Sequence, residues 1–303
     1  MMELNEFQMK ISESLEGISL AFWEPMAKHT SFRIGGPVEV MAFPENKEEL
    51  AKILAVSYQL DRKPVILGAG TNILAPDEGI KGIVICLKDC LGGLQQLDET
   101  RIRVYAGVTM SRAAVYAAGL GLGGLEFAHG IPGSVGGGVY MNAGAYGGEI
   151  CQVCESVEVM SMDGKLHHYT CEEMGFAYRH SRLETEGGIV ISAVFALENK
   201  PTEEIREQMQ LLQKKRRASQ PLRLPSAGSA FKRPVGGYAA ALIDQTGLKG
   251  FRVGDAAVSE KHAGFVVNLG NAKASDVKAL LIQVSDKVFE ASGIRLEPEI
   301  RIW

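Results

Sequence analysis

Glycines gathered behind a short apolar run are the first residues in this chain whose types and spacing could do chemistry. Gly68-Ala69-Gly70-Thr71-Asn72 follows directly on Pro64-Val65-Ile66-Leu67. A denser stretch runs from Gly130-Ile131-Pro132-Gly133-Ser134-Val135-Gly136-Gly137-Gly138 through Asn142-Ala143-Gly144-Ala145. Glycine reaches positive φ and lets backbone N–H groups converge on an anion without side-chain obstruction. Tight turns also need glycine, and either cluster alone has that plainer reading. So many small residues between 130 and 145 are hard to explain by turns, and the pattern predicts a phosphate cradle. Thr71 and Asn72 add side-chain donors to the first cluster.

Two other patterns point to chemistry that their context does not support. Gly119, Gly121 and Gly124 satisfy G-x-G-x-x-G, but the dinucleotide fingerprint needs a strand before it and a helix after it. Here a helical segment precedes the glycines and Ile131-Pro132-Gly133 soon follows, so they read as a helix C-cap and loop. Cys151 and Cys154 form a C-x-x-C, yet no second such pair or suitably spaced His pair completes a zinc site, so a structural role is expected. The chain has five cysteines, an odd number, and needs no disulfide framework at this length.

The elements that must position the glycines follow from apolar periodicity. A helix is expected over 1–16, with Leu4, Phe7, Ile11 and Leu15 on one face. Thr30–Pro44 predicts two short strands hinged at Gly35-Gly36, and Asn46–Leu60 a helix. Strands are expected at 64–67, 83–87, 102–105, 150–160, 166–169 and 189–197, with a helix over 111–118. Thr202 opens a helix favoured by Glu203 and Glu204 in its first turn and by Lys214-Lys215-Arg216-Arg217 at its end. That basic run reads as a solvated helix end. After Pro221 and Pro225 a second region begins, with helices near 237–246 and 275–293 and a strand at 264–269. Strands and helices do not alternate strictly, so the fold class is α+β, with a boundary at about 200–220.

Composition narrows the function. The 303 residues are 46% hydrophobic and 22% charged, as in a globular protein of about two domains. Lys plus Arg total 32 against 36 Asp plus Glu, a formal charge of −4, which argues against a nucleic-acid partner. The first residues lack the basic start and apolar core of a signal peptide, and no stretch reaches the roughly 18 apolar residues of a spanning helix. A cytoplasmic protein without membrane insertion is expected.

Several segments, taken in order, resemble the UDP-N-acetylenolpyruvoylglucosamine reductase (MurB) family. They are Thr30-Ser31-Phe32-Arg33-Ile34-Gly35-Gly36, the two glycine clusters, Tyr178-Arg179-His180-Ser181, Ala227-Gly228-Ser229-Ala230-Phe231-Lys232, Ser259-Glu260-Lys261-His262-Ala263-Gly264-Phe265-Val266-Val267-Asn268 and Leu296-Glu297-Pro298-Glu299-Ile300. They span nearly the whole chain, and few residues separate Ser181 from the strand at Gly188, as in the family's shorter branch. The resemblance implies an FAD-binding fold of the vanillyl-alcohol-oxidase type plus a C-terminal α+β substrate domain. The implied layout is an FAD-binding region over 1–200, in subdomains of about 1–67 and 68–200, with the first also recruiting the tail. Residues 201–303 then form the substrate domain and tail. NADPH would reduce noncovalently bound FAD, and reduced flavin would saturate the enolpyruvyl group of a UDP-sugar in cell-wall precursor synthesis.

Residue roles come with the same resemblance. Arg179 and Glu299 are expected to stabilise enolate charge at the substrate carboxylate, and Ser229 to deliver the proton. By residue type alone, Arg179 is a surface cation and Ser229 a turn residue. Glu297 and Glu299 alternate on one strand; the motif register selects Glu299 and keeps Glu297 second. Arg33, Gly68, Ala69, Gly70, Thr71, Asn72, Gly130, Ile131, Pro132, Gly133, Ser134, Gly136, Gly137, Asn142 and Gly144 are expected at the cofactor. Tyr178, Lys232 and His262 are expected at the substrate, although Lys232 also reads as solvated and His262 as a structural donor. No metal is expected, and His129 receives no covalent flavin role. Arg233 stands where the family usually has Asn, and Leu183 replaces a common aromatic. An FAD-linked sugar or alcohol oxidase of the same fold, or a noncatalytic nucleotide-sugar-binding module, would share the glycines but not need Ser229 or the tail.

Overall fold

The computed structural model describes residues 4–88 and 90–303, and these form two compact units. The first draws on 4–22, 39–69, 82–88 and 90–214, the second on 23–38, 70–81 and 215–303. Each has its own buried apolar cluster.

The first unit is built on a five-stranded antiparallel sheet in the order Leu166–Thr170, Cys154–Met160, Ile189–Ala196, Arg101–Tyr105, Leu94–Gln96. Its central strand Ile189–Ala196 is buried along nearly its whole length, as its near-continuous apolar run, interrupted only by Ser192, requires. A four-stranded sheet, most of whose residues fall in the first unit, follows the order Ser19–Pro25, Pro37–Phe43, Ile80–Cys86, Val65–Leu67. There the glycine-bearing strand Val65–Leu67 runs parallel to Ile80–Cys86, with Leu67 opposite Cys86. Two helices read from periodicity are present as Lys47–Gln59, capped by the Asn46 side chain, and Met110–Gly119, capped by Thr109. The N-terminal helix runs Glu6–Ser14; Met1–Glu3 of the expected 1–16 lie outside the described residues. Gly121, at φ +71, follows the helix Met110–Gly119 and leads only to a one-turn 3-10 segment, Glu126–Gly130. The G-x-G-x-x-G is thus a helix exit, as its context implied.

The second unit carries a four-stranded antiparallel sheet, Ser226–Ser229, Phe265–Asn268, Ala256–Val258, Arg252–Val253. The helix Ala274–Ser292 packs on it, and the helix Ala239–Gln245 packs on that helix. Val277, Leu280, Leu281, Val284 and Val288 give the longer helix one buried stripe, and Gly293 ends it at φ +72. Phe32, Ile34 and Leu74 complete this core from far upstream. The connection expected near 200–220 is mostly the helix Thr202–Ser219, and the division between units falls inside it. No helix among the described residues is long and apolar enough to cross a membrane.

One expected strand is absent. Residues 30–34 form a turn, with Arg33 at φ +55 donating its N–H to the Thr30 carbonyl at 3.1 Å. A left-handed residue cannot continue a strand. Only the second half of Thr30–Pro44 is extended, as Pro37–Phe43.

Asp77 anchors the 70–81 segment to the long helix. Its carboxylate accepts from Ala274 N at 2.6 Å and from Ser275 N and Oγ at 3.0 Å each. Burial alone would push this carboxyl up, but the bonds from Ser275 and Ala274, with Lys273 nearby, hold it below the usual carboxylate range. A depressed carboxyl adds stability above its unfolded pKa, about 4, and loses it as pH falls through the native value. Asp77→Asn is expected to lower stability at neutral pH by about 1 kcal/mol. Thermal melts should show that gap closing below about pH 4; a gap independent of pH would mean the charge contributes nothing.

Candidate active site

The two glycine clusters meet at Ser134. The strand Val65–Leu67 delivers Gly68, and Ser134 caps the short helix Val135–Tyr140, accepting from Gly137 N at 3.4 Å. A Cβ built on Gly68 would lie 3.2 Å from Ser134 Oγ, and one on Gly137 would lie 3.6 Å from the same atom. The stretch is tied to the sheet by Val135 N to Val108 O at 2.8 Å and Gly136 N to Ala106 O at 2.9 Å. Gly136 is therefore required by the close approach of Ala106, whose Cβ would be 2.9 Å from its own. Gly137 is different: nothing but the Ser134 hydroxyl comes within 4 Å of a Cβ there. The chain could carry a side chain at this point, and the glycine leaves open surface beside Gly68 and Ser134.

Open backbone of this kind is what a bound cofactor would need. His129, the residue before Gly130, has a buried Nδ1 without a hydrogen-bond partner among the described residues. Burial pulls its pKa below the usual histidine value, so the ring is neutral near pH 7. The first cluster divides at the unit boundary, with Gly68 and Ala69 in the first unit and Gly70, Thr71 and Asn72 in the second. Gly70, at φ +64, passes so close to the His29 carbonyl that a Cβ would sit 2.0 Å from it.

Arg179 stands on the tip of a tight turn in the first unit. Ala177 and His180 exchange N–H···O bonds of 3.1 Å, leaving Tyr178 and Arg179 as the corner. Arg179 takes φ +56, which costs a non-glycine residue roughly 1 kcal/mol. Its guanidinium lies 4.9 Å from the Tyr178 ring centroid and donates to Gly144 O at 3.2 Å. The turn is held by the segment 140–144. Ser181 Oγ donates to Tyr140 O at 2.7 Å, and Asn142 Nδ2 to Ala177 O at 3.0 Å.

Ser229 and Glu299 come together in the second unit. Glu299 N donates to Ala230 O at 2.9 Å, and Lys232 N to Glu297 O at 2.8 Å. Pro298 bridges to Phe231. The tail here is extended but irregular, and a strand forms only at Arg301–Ile302, parallel to Ile73–Leu74. Asn72 Nδ2 donates to Glu299 O at 3.2 Å. Glu297 and Glu299 part company: Glu297 is exposed and paired with the Lys232 ammonium, whereas Glu299 is half-buried beside the Ser229 strand. Ser229 itself is exposed, opposite Phe265. His262 Nδ1 accepts from Gly264 N at 3.2 Å, and its ring meets Phe265 edge-on at 4.9 Å. Burial, reinforced by Lys249, keeps this imidazole below its usual pKa despite an opposing backbone bond.

Some features escaped the sequence reading. Arg216 is half-buried with an enclosed Nε, although it sits in a basic run that reads as solvated. The second unit also contains a groove of about 820 Å³, lined in part by Arg217, Arg223, Arg252 and Lys261 beside Val267 and Leu269. These cations are scattered over the sequence, and no spacing marks them. Arg233, which departs from the family motif, stacks on Tyr238 at 4.2 Å. All five cysteines are free, and no cluster among the described residues could hold a metal.

Residues 38–170 match the model of an FAD binding domain. The structure matches the crystal structure of UDP-N-acetylenolpyruvylglucosamine reductase (MurB) from Thermus caldophilus with a TM-score of 0.78 and 39% identity, over 94% of this chain and 98% of that one. The α+β fold is thus that of an FAD-binding oxidoreductase. Residues 220–303 match the UDP-N-acetylenolpyruvoylglucosamine reductase C-terminal domain. The relative of that name from Agathobacter rectalis is 44% identical over 310 residues, 98% of each chain. That from Streptococcus pneumoniae strain 70585 is 43% identical over 97% of each. The chain belongs to the UDP-N-acetylenolpyruvoylglucosamine reductase family.

If the opening at Gly137 is the cofactor's, filling it should unload the protein without unfolding it. Gly137→Val is expected to lower FAD content per chain at least about tenfold with little change in the melting temperature of the apoprotein. Full FAD retention would place the cofactor elsewhere.

Proposed function

We propose that this enzyme reduces the enolpyruvyl group of UDP-N-acetylglucosamine enolpyruvate to UDP-N-acetylmuramate, with NADPH as electron donor and noncovalent FAD as carrier. The reaction serves peptidoglycan precursor synthesis in the cytoplasm. The observation that carries this reading is the pairing of Ser229 with Glu299, held by the 2.9 Å bond from Glu299 N to Ala230 O. An oxidase or a simple binding module of this fold has no need of that pair.

Gly68, Ser134 and Gly137 would hold FAD, which would supply the double bond with a hydride and so with both electrons. The chain's own residues supply the rest. Reduction builds enolate charge on the substrate carboxylate, and fixed groups aimed at developing charge are a large catalytic contribution. Arg179 meets that charge with a guanidinium whose direction its turn sets, and Glu299 acts at the same carboxylate. Ser229 delivers the proton that completes saturation. The cations of the groove at Arg217, Arg223, Arg252 and Lys261 suit the substrate's diphosphate. Lys232 reaches a phosphate only by leaving Glu297, and His262 contributes as a neutral donor.

Separating the two half-reactions tests the roles. In Ser229→Ala, NADPH-driven flavin reduction is expected to stay near wild type, since it needs no proton from Ser229. Flavin reoxidation by the enolpyruvyl substrate should slow about 10²–10⁴-fold. Stopped-flow absorbance of each half, with FAD content checked, reads both rates. Equal slowing of both would make Ser229 structural, and no slowing would move the proton donor elsewhere.

A further inference from the structure

Asn142 was expected at the cofactor, yet its amide is engaged entirely within the protein. The residue is 1% exposed. Its Oδ1 accepts from Cys151 N at 3.0 Å, and its Nδ2 donates to Glu149 Oε2 and to Ala177 O, each at 3.0 Å. The amide orientation is fixed by these partners, because a flipped group would set a donor against the Cys151 N–H. Asn142 also takes φ +43, a left-handed conformation that asparagine tolerates better than most side chains.

The Ala177 carbonyl is the entry to the turn that carries Arg179. The same turn is gripped at its exit, where the fully buried Ser181 donates to Tyr140 O at 2.7 Å. The Arg179 guanidinium itself donates to Gly144 O at 3.2 Å. Three bonds from three sides therefore seat a strained corner on the five residues 140–144. A residue at φ +56 holds that conformation only where its surroundings over-determine it.

We infer that Asn142 and Ser181 are positioning residues for the reduction of the substrate: they fix the direction of the Arg179 guanidinium rather than hold the cofactor. The inference rests on the reading of Arg179 as the group that meets the substrate carboxylate. Loss of either clamp lets the corner relax, and Arg179 then stabilises developing charge less well. Ground-state binding is less affected, so kcat falls more than KM rises.

A double-mutant cycle on flavin reoxidation by the enolpyruvyl substrate tests this. Asn142→Ala and Ser181→Ala are each expected to slow reoxidation about tenfold. In the Arg179→Ala background neither should slow it further, because the group they position is gone. Ser181→Ala removes one hydroxyl, so it keeps the test alive if Asn142→Ala folds poorly. Reoxidation slowed by the same factor with and without Arg179 would overturn the inference, as would clamp variants that reoxidise at the wild-type rate. If Arg179→Ala alone leaves reoxidation unchanged, the reading of Arg179 fails and the positioning role with it. If it slows that step while the clamps act independently, only the positioning role fails.

Discussion

The second unit depends on the last residues of the chain being threaded between two segments far apart in sequence. On one side the tail bonds to the strand that bears Ser229, through Lys232 N to Glu297 O and Glu299 N to Ala230 O. On the other it bonds to the segment after Gly70, through Asn72 Nδ2 to Glu299 O, Arg301 N to Asn72 O and Trp303 N to Leu74 O. Each such bond contributes about 1 kcal/mol net, but together they hold the Glu299 backbone beside the strand that bears Ser229. The partners Asn72 and Glu299 are 227 residues apart. Loops that long close slowly, so this unit is expected to be the later to form.

The first unit solves its positioning problem by local strain. Asn142, Tyr146 and Arg179 are all non-glycine residues at positive φ, between +43 and +56. They lie in or just after the glycine-rich stretch or on the turn seated against it. Such conformations persist where buried hydrogen bonds leave no alternative, and Asn142 and Ser181 supply them here. The glycines then divide into two kinds. At Gly136 the Ala106 side chain comes too close for a Cβ, whereas Gly137 has room for a side chain and carries none.

Much of this was legible in the sequence, and what was not has physical causes. The helices Lys47–Gln59 and Ala274–Ser292 followed from apolar periodicity, and the G-x-G-x-x-G was set aside because a helix precedes it. The strand expected at Thr30–Ile34 failed because nothing in an apolar pattern reports that Arg33 is left-handed. The recruitment of 23–38 and 70–81 into the second unit depends on contacts such as Asp77 with Ala274 and Gly70 with the His29 carbonyl, which no local signal carries. Small-residue composition does not show that the Asn142 amide is buried. Arg216 was lost in a run of like charge, where half-burial of one member has no signature.

The central claim is that electrons pass from NADPH to the enolpyruvyl double bond and to nothing else. Anaerobic incubation of the purified enzyme with NADPH, with and without UDP-N-acetylglucosamine enolpyruvate, tests it most directly. The account predicts continuous NADPH oxidation only when that substrate is present, with one UDP-N-acetylmuramate formed per NADPH consumed. Oxidation that proceeds without the enolpyruvyl sugar, or a flavoprotein that binds the sugar and never turns it over, would contradict it.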